Sequence, residues 1–293
     1  MRLVHILNPV SLSKDQELYH TQAFVFESLR RSRDHYTGSG RITHVSVHYE
    51  EDRPFIPKFF HQRPPLKHSI QDLLPKVGGG KKLPLLREVL ERGTEIKSDY
   101  YLYTNADIIL QPHFYDFIFR KIEEGYDGLI INRRRIPFFI DKTLDELCHY
   151  ALIKGKSHPG FDCFLMSRDL LPLFELSVIC LGIPFIGVTL AHNLFAFSKR
   201  LGYYDRENLT FHLGMRIRHK AAEAYYWHNR NSFFQEIKPK LDPYFDIHKF
   251  PYASLPLIKR YSKWIQNPSL FTLMNLKMEI LRKWNIRKVK SIS

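Results

Sequence analysis

Apolar positions along this chain fall into short runs and helical repeats separated by Pro, Gly and charged clusters. Leu3 to Leu7 reads as a short buried strand. Ser13-Lys14-Asp15-Gln16 has the form of a capping box, and Leu18, Val25, Phe26 and Leu29 follow at helical spacing, which predicts a helix. Arg41 to Tyr49 sets Ile42, His44, Ser46 and His48 alternately with Thr43, Val45, Val47 and Tyr49, the pattern of a half-exposed strand. Residues 50–80 are rich in Pro and charge and end in Gly78-Gly79-Gly80, which predicts a long loop. Pro84, then Leu86, Val89 and Leu90, then Gly93 describe a short helix. Tyr100 to Leu110 is the strongest strand signal in the chain. Pro112 opens a helix with Phe114, Phe117, Ile118 and Ile122 on one face and Gly125 as its stop, and Gly128 to Asn132 is a further buried strand.

The unit 100–132 is thus strand, helix, strand, the signature of a parallel pair. A right-handed crossover puts both strand ends on one side of the sheet. Ligands of open α/β sheets bind outside the carboxyl ends of the strands. Asn105, Asp107 and the run Arg133-Arg134-Arg135 all fall at such ends. Further on, Phe161 to Met166 and Leu209 to Leu213 have strand character. Leu176 to Phe197 carries no Asp, Glu, Lys or Arg and is long enough for a bilayer span. It contains Gly182, Pro184, Gly187, His192 and Asn193, so a buried loop followed by a buried helix is the better reading. The expected fold class is α/β, a mainly parallel central sheet flanked by helices. The expected division is a domain over 1–220 and a basic, aromatic-rich extension over 221–293 packed on it.

Composition narrows the picture. An apolar fraction of 44% and aromatics at 14% of 293 residues suffice for a core and argue against disorder. The net charge of +14 attracts polyanions: nucleic acid, anionic lipid or a phosphorylated ligand. The basic residues are dispersed and no RRM, zinc-finger or helix-turn-helix signature occurs, which argues against nucleic acid. Three cysteines, Cys148, Cys163 and Cys180, without CxxC spacing read as reduced core thiols. The first apolar run is too short for a signal peptide. A cytoplasmic protein, peripheral at a membrane in one reading, is the expectation.

Asp107 stands between apolar segments, where a carboxylate is costly unless compensated. A divalent cation bound by hard oxygen ligands would compensate it; a cap on the following turn is the alternative. Gly78-Gly79-Gly80-Lys81 lacks the spacing and the preceding strand of a phosphate loop. Arg133, Arg134 and Arg135 are candidates to meet a diphosphate, or a solvated surface run; Lys81 and Lys82 are similar candidates.

Tyr103-Thr104-Asn105-Ala106-Asp107-Ile108 resembles the DxD-type segment of GT-A fold nucleotide-diphospho-sugar transferases. His158-Pro159-Gly160-Phe161-Asp162-Cys163-Phe164 resembles the Gly-Phe-Asp acceptor-side segment of some members. Thr210-Phe211-His212-Leu213-Gly214 resembles a late His-Leu-Gly segment. The resemblance covers about residues 1–220. It implies a glycosyltransferase that moves a sugar from a nucleotide-diphosphate donor to a glycan or lipid-linked acceptor. It implies donor binding by Asn105 and Asp107, a Mn²⁺ or Mg²⁺ ion on Asp107 and His212, and Asp162 as acceptor-side base; Arg133, just past the next strand, is added as a donor contact for its charge and position. Asn105 departs from the family pattern, since it offers a carbonyl oxygen but no charge. That departure keeps a noncatalytic GT-A-like or polyanion-binding protein as the alternative. For His212 a satisfied core residue, for Asp162 a carboxylate held by backbone amides, and for His192-Asn193 helix packing are the competing readings. Leu273, Leu276, Ile280 and Trp284, with Lys277, Arg282, Lys283, Arg287, Lys288 and Lys290, predict an amphipathic basic helix, docked on the domain or lying on an anionic membrane.

Overall fold

A computed structural model describes residues 1–75, 82–158, 160–215, 223–244 and 246–266. Gly78 to Lys81, Pro159 and the basic helix expected around Leu273 to Lys290 lie outside the described residues. The strands are β1 Arg2–Leu7, β2 Arg41–Ser46, β3 His61–Gln62, β4 Tyr100–Thr104, β5 Ile109–Leu110, β6 Gly128–Ile131, β7 Arg134–Ile136, β8 Lys156–Ser157, β9 Cys163–Ser167, β10 Leu201–Tyr204 and β11 Thr210–Leu213. The helices are α1 Glu17–His35, α2 Ile70–Leu73, α3 Leu86–Thr94, α4 Phe114–Glu123, α5 Leu144–Lys154, α6 Ile186–Phe197, α7 Glu223–Asn231, α8 Lys238–Leu241 and α9 Leu257–Gln266.

Seven strands form one sheet in the order β10-β6-β9-β4-β1-β2-β3, parallel except for β9. This mixed, mainly parallel sheet between helices is the architecture the sequence implied. The central strands are near-continuous apolar runs because both faces are covered. Alternate residues go to opposite sides. Val4, Ile6, Tyr101, Tyr103, Phe164 and Met166 join the core beneath α3, α6 and α7. Leu3, Leu7, Leu102, Leu129 and Leu165 join the core beneath α1, α4 and α5. Tyr225, Phe233, Ile237 and Leu241, from the stretch beyond residue 220, belong to the first of these cores.

A second, small sheet has the order β5-β11-β7-β8. It stands at the carboxyl end of the large sheet because three chain segments leave the large sheet there and re-pair. The expected strand over Tyr100 to Leu110 is therefore two strands. The chain leaves the large sheet after Thr104, turns with Ile108 N–H donating to the Asn105 carbonyl at 3.3 Å, and enters the small sheet at Ile109. Period alone does not register such a change of partner, since both halves are buried.

Other expectations are corrected. β4 and β6 run parallel but do not pair, because β9 is inserted antiparallel between them. The box at Ser13 does not open α1; Gln16 is its N-cap, and Ser13 Oγ accepts from the Gln16 side chain instead. A capping box does form at Ser69 and Asp72, inside the segment expected to be a loop. The second strand is exposed only at its start and ends in buried His44, Val45 and Ser46. The uncharged stretch is a buried loop leading into α6, and no helix among the described residues is long and apolar enough to cross a membrane. Cys148, Cys163 and Cys180 are free and buried.

Candidate active site

The antiparallel insertion of β9 shapes the site. Because β9 runs against β4 and β6, its amino end lies at their carboxyl ends, with Cys163 paired to both Thr104 and Ile131. Asp162 is thereby carried to the same edge as Asn105, Asp107 and Asn132. The small sheet then brings His212 back onto that edge through β11.

Asp107 and His212 meet there, with Oδ2 and Nε2 3.1 Å apart. Their side chains are 28% and 16% exposed, so the pair borders solvent. His212 Nδ1 lies 3.3 Å from the Gly214 carbonyl. A ring that donates there presents Nε2 to Asp107, as a second donor or as a lone pair for a cation. Burial acts to raise the Asp107 pKa, but the His212 ring, its hydrogen bond and the Arg133 guanidinium outweigh it and hold the carboxyl well below the usual range. Asn105 Oδ1 accepts from Tyr103 Oη at 3.2 Å.

Arg133 and Asp162 form a second pair behind the first. Arg133 Nη1 donates to Asp162 Oδ1 at 2.6 Å, and the two side chains are 5% and 9% exposed. Burial raises the Asp162 pKa and Asp107 adds to the rise, against the pull of Arg133 and His212. Asn132 Nδ2 donates to the His158 carbonyl and to Tyr203 Oη, both at 3.1 Å. The His158 pKa is pushed down to about 3, first by burial and then by Arg133, Arg135 and His212 nearby. Six buried polar atoms of this cluster have no partner among the described residues: Asp107 Oδ1, Asn132 Oδ1, Arg133 Nε, Arg135 Nε, His158 Nδ1 and Asp162 Oδ2. Buried polar atoms are almost always paired, so such a concentration needs an explanation, and a ligand is one.

The Asp107 and His212 pair fits a divalent ion. Mg²⁺-sized ions take near-octahedral ligands at about 2.1 Å, so two adjacent ligand atoms stand about 3 Å apart. No group of three or more His, Cys, Asp or Glu side chains suited to a metal occurs among the described residues. An ion here would have two protein ligands and complete its shell with water and substrate phosphate, the usual state of such ions.

The structure therefore brings Asn105, Asp107, Asp162 and His212 to one edge. Arg133 is at that edge too but 4% exposed, with its guanidinium committed to Asp162 rather than facing outward. His192 packs on Phe195 and Phe233 inside α6, and Asn193 binds Glu175 and Thr189 backbone atoms, so neither lines the site. Lys82 pairs with Glu51 at 2.7 Å and covers the Tyr49 ring. Sequence reasoning missed Asn132 and Tyr203. Asn132 ends a recognised strand and was legible by position; Tyr203 carried no signal. A cavity of about 220 Å³ lined by Arg2, Arg41, His61 and Ser98 lies at the amino ends of β1 and β2. Another of about 420 Å³ adjoins α3. Neither contains the cluster.

No protein-family model matches the chain, and no curated protein matches it. Among solved structures, residues 1–349 of Staphylococcus aureus TarS in complex with UDP-GlcNAc are 10% identical, with a TM-score of 0.47, over 91% of this chain and 79% of that one. The bifunctional IspDF of Campylobacter jejuni is 10% identical, with a TM-score of 0.39, over 71% of this chain and 51% of that one. The galactosyltransferase LgtC in complex with donor and acceptor sugar analogs is 10% identical, with a TM-score of 0.36, over 82% of this chain and 100% of that one.

Proposed function

We propose that this chain is a glycosyltransferase that takes a nucleotide-diphosphate sugar as donor and a glycan or lipid-linked hydroxyl as acceptor. The observation that carries the reading is the meeting of Asp107 and His212 at 3.1 Å, at the carboxyl ends of the strands, with a carboxylate oxygen left over. Nothing in their positions along the chain requires that meeting.

Asp107 and His212 would hold Mg²⁺ or Mn²⁺, and a bound ion supplies positive charge where the departing diphosphate gathers negative charge. Asn105 leaves that site one negative charge poorer than the family pattern, and its carbonyl oxygen remains available to a ribose or to a metal-bound water. Asp162 is the acceptor-side base. Its Oδ1 is held by Arg133, and its Oδ2, buried and without a donor among the described residues, is the oxygen that would take the acceptor proton. Burial works in favour of that transfer by raising the affinity of Asp162 for a proton. Arg133 positions Asp162 and is not itself the diphosphate contact.

Thermal shift with UDP, GDP, ADP and CDP, with and without Mn²⁺, tests the reading. At a hundredfold excess over Kd a ligand stabilises the native state by about 2.7 kcal/mol. Asp107→Ala is expected to abolish the shift and reduce transfer by about a hundredfold or more, the scale of losing one preorganised charge contact. Circular dichroism checks that the variant folds, since losing the pair with His212 is expected to lower the unliganded Tm as well. No stabilisation by any of these nucleotides would sink the proposal. Stabilisation without turnover of any donor sugar would move it to the noncatalytic alternative, which Asn105 favours.

A further inference from the structure

The small sheet holds a feature the proposed reaction has not used. In β11, β7 and β8, His212 stands in register with Arg135, and Arg135 with Lys156. Residues directly opposite on neighbouring strands share a face of the sheet. Three basic side chains therefore form a row across one face. The next residues along belong to the other face. Phe211 and Leu213 are buried in the core, and Arg134, in register with Phe211, packs against Gly155 after α5.

Among the described residues only the His212 end of that row meets a carboxylate, that of Asp107. Among the described residues Arg135 makes no ion pair. Among the described residues its one side-chain hydrogen bond is a long one, Nη1 to the Met215 carbonyl at 3.4 Å, and its Nε, like that of Arg134, is buried without a partner there. A guanidinium has five donors in a fixed fork suited to phosphate. Lys156 is exposed and likewise makes no ion pair among the described residues. Like charges directly opposite on paired strands repel. An anion between them removes the repulsion. Asp107, the carboxylate at the end of the same row, is committed to His212.

We infer that Arg135, assisted by Lys156, is the diphosphate-binding element of this site, taking a phosphate beside the position held by Asp107 and His212. The inference rests on the donor-site reading above and assigns to Arg135 the role that Arg133 cannot fill from its buried pair. It also gives Asn105 a rationale: a row of fixed cations needs less charge from a metal than a site without one.

The test is isothermal titration of the full chain with inorganic pyrophosphate and with the nucleoside diphosphate giving the largest thermal shift, in EDTA and in Mn²⁺. Arg135→Gln is expected to weaken both ligands about tenfold to a hundredfold in both media, the scale of a charge-assisted bidentate contact. Arg135→Lys recovers part of the loss, and Lys156→Gln loses about threefold to tenfold, as a more exposed charge should. Arg134→Gln, on the opposite face of the same strand, is the control for folding and is expected within about twofold of the parent. Circular dichroism and unliganded Tm verify that each variant folds. Unchanged affinity in Arg135→Gln, or an equal loss in Arg134→Gln, overturns the assignment while leaving the donor reading in place. Absence of nucleotide binding by the parent chain in either medium overturns both.

Discussion

Two buried polar clusters lie within one strand length of each other, and they are built to opposite rules. The first sits between the large sheet and α4. Tyr115 Oη lies 2.7 Å from His5 Nδ1 and 2.8 Å from His44 Nε2, and His5 Nε2 lies 2.9 Å from Thr104 Oγ1. Both histidines are held neutral. Burial, then the proximity of His44, lowers the His5 pKa, and burial, then Arg33, pushes that of His44 down to about 3. Both His5 nitrogens are used and one of His44 is, so this cluster is nearly closed on itself. The second begins one residue past Thr104 and holds charged groups, two carboxylates and two guanidiniums, with six buried atoms unpaired among the described residues. A closed network serves packing, because each buried polar group needs a partner. A half-open one of similar depth fits the ligand site proposed above.

The comparison breaks or sharpens on measurable losses of stability. Arg133→Met leaves Asp162 as an uncompensated buried charge and is expected to cost about 3–5 kcal/mol in urea unfolding. Adding Asp162→Leu should recover most of that loss, as replacing both members of a buried pair with apolar groups often does. A single-variant cost below about 1 kcal/mol would mean the pair is solvated and the site more open than described. In the closed cluster, Tyr115→Phe removes the hydroxyl that both histidines share, for about 1–3 kcal/mol. A negligible cost there would place the hydroxyl outside the network.

The dependence on pH is the most gradual effect, spread over several pH units. A histidine whose pKa is lowered on folding binds its proton more readily in the unfolded chain. Stability is then full above the unfolded value near 6.5 and falls as pH drops toward the folded value. His44 and His158, both pushed down to about 3, place that loss between about pH 6.5 and 3, with His5 acting in the same direction. Each group contributes a slope of up to about 1.4 kcal/mol per pH unit. Replacing His44 with Gln should flatten the slope by one such share. A flat stability between pH 7 and 5 in the parent chain would show that these rings are not sequestered. Asp107, with its pKa depressed, acts differently: its contribution persists above the unfolded carboxylate value and is lost only in stronger acid.

Much of the architecture was legible from residue patterns. β1, α3, α4 and β6 were readable because an apolar run between Gly, Pro and polar punctuation has few alternatives. The uncharged stretch before Phe197 was readable as buried loop plus helix because Pro184 and Gly187 interrupt it. Asp107, Asp162 and His212 were singled out through three short segments resembling one family, and they converge on one edge. Arg133 stands on the expected edge, with one guanidinium nitrogen bonded to Asp162. Adjacent arginines on a short strand alternate between faces, and nothing local says which one finds a carboxylate.

The sequence by itself determined the elements, the chemical types available at the carboxyl ends and the excess of positive charge. These follow from local period, turn chemistry and composition, each of which acts over a few residues. Tertiary structure decided that β9 enters antiparallel between β4 and β6, which turns Asp162 toward Arg133. It also decided that β11 pairs with β7, which brings His212 to Asp107 and lines up Arg135 and Lys156. Strand order and register are set by how whole faces pack against distant helices, and that long-range choice leaves no periodic mark in the residues it brings together.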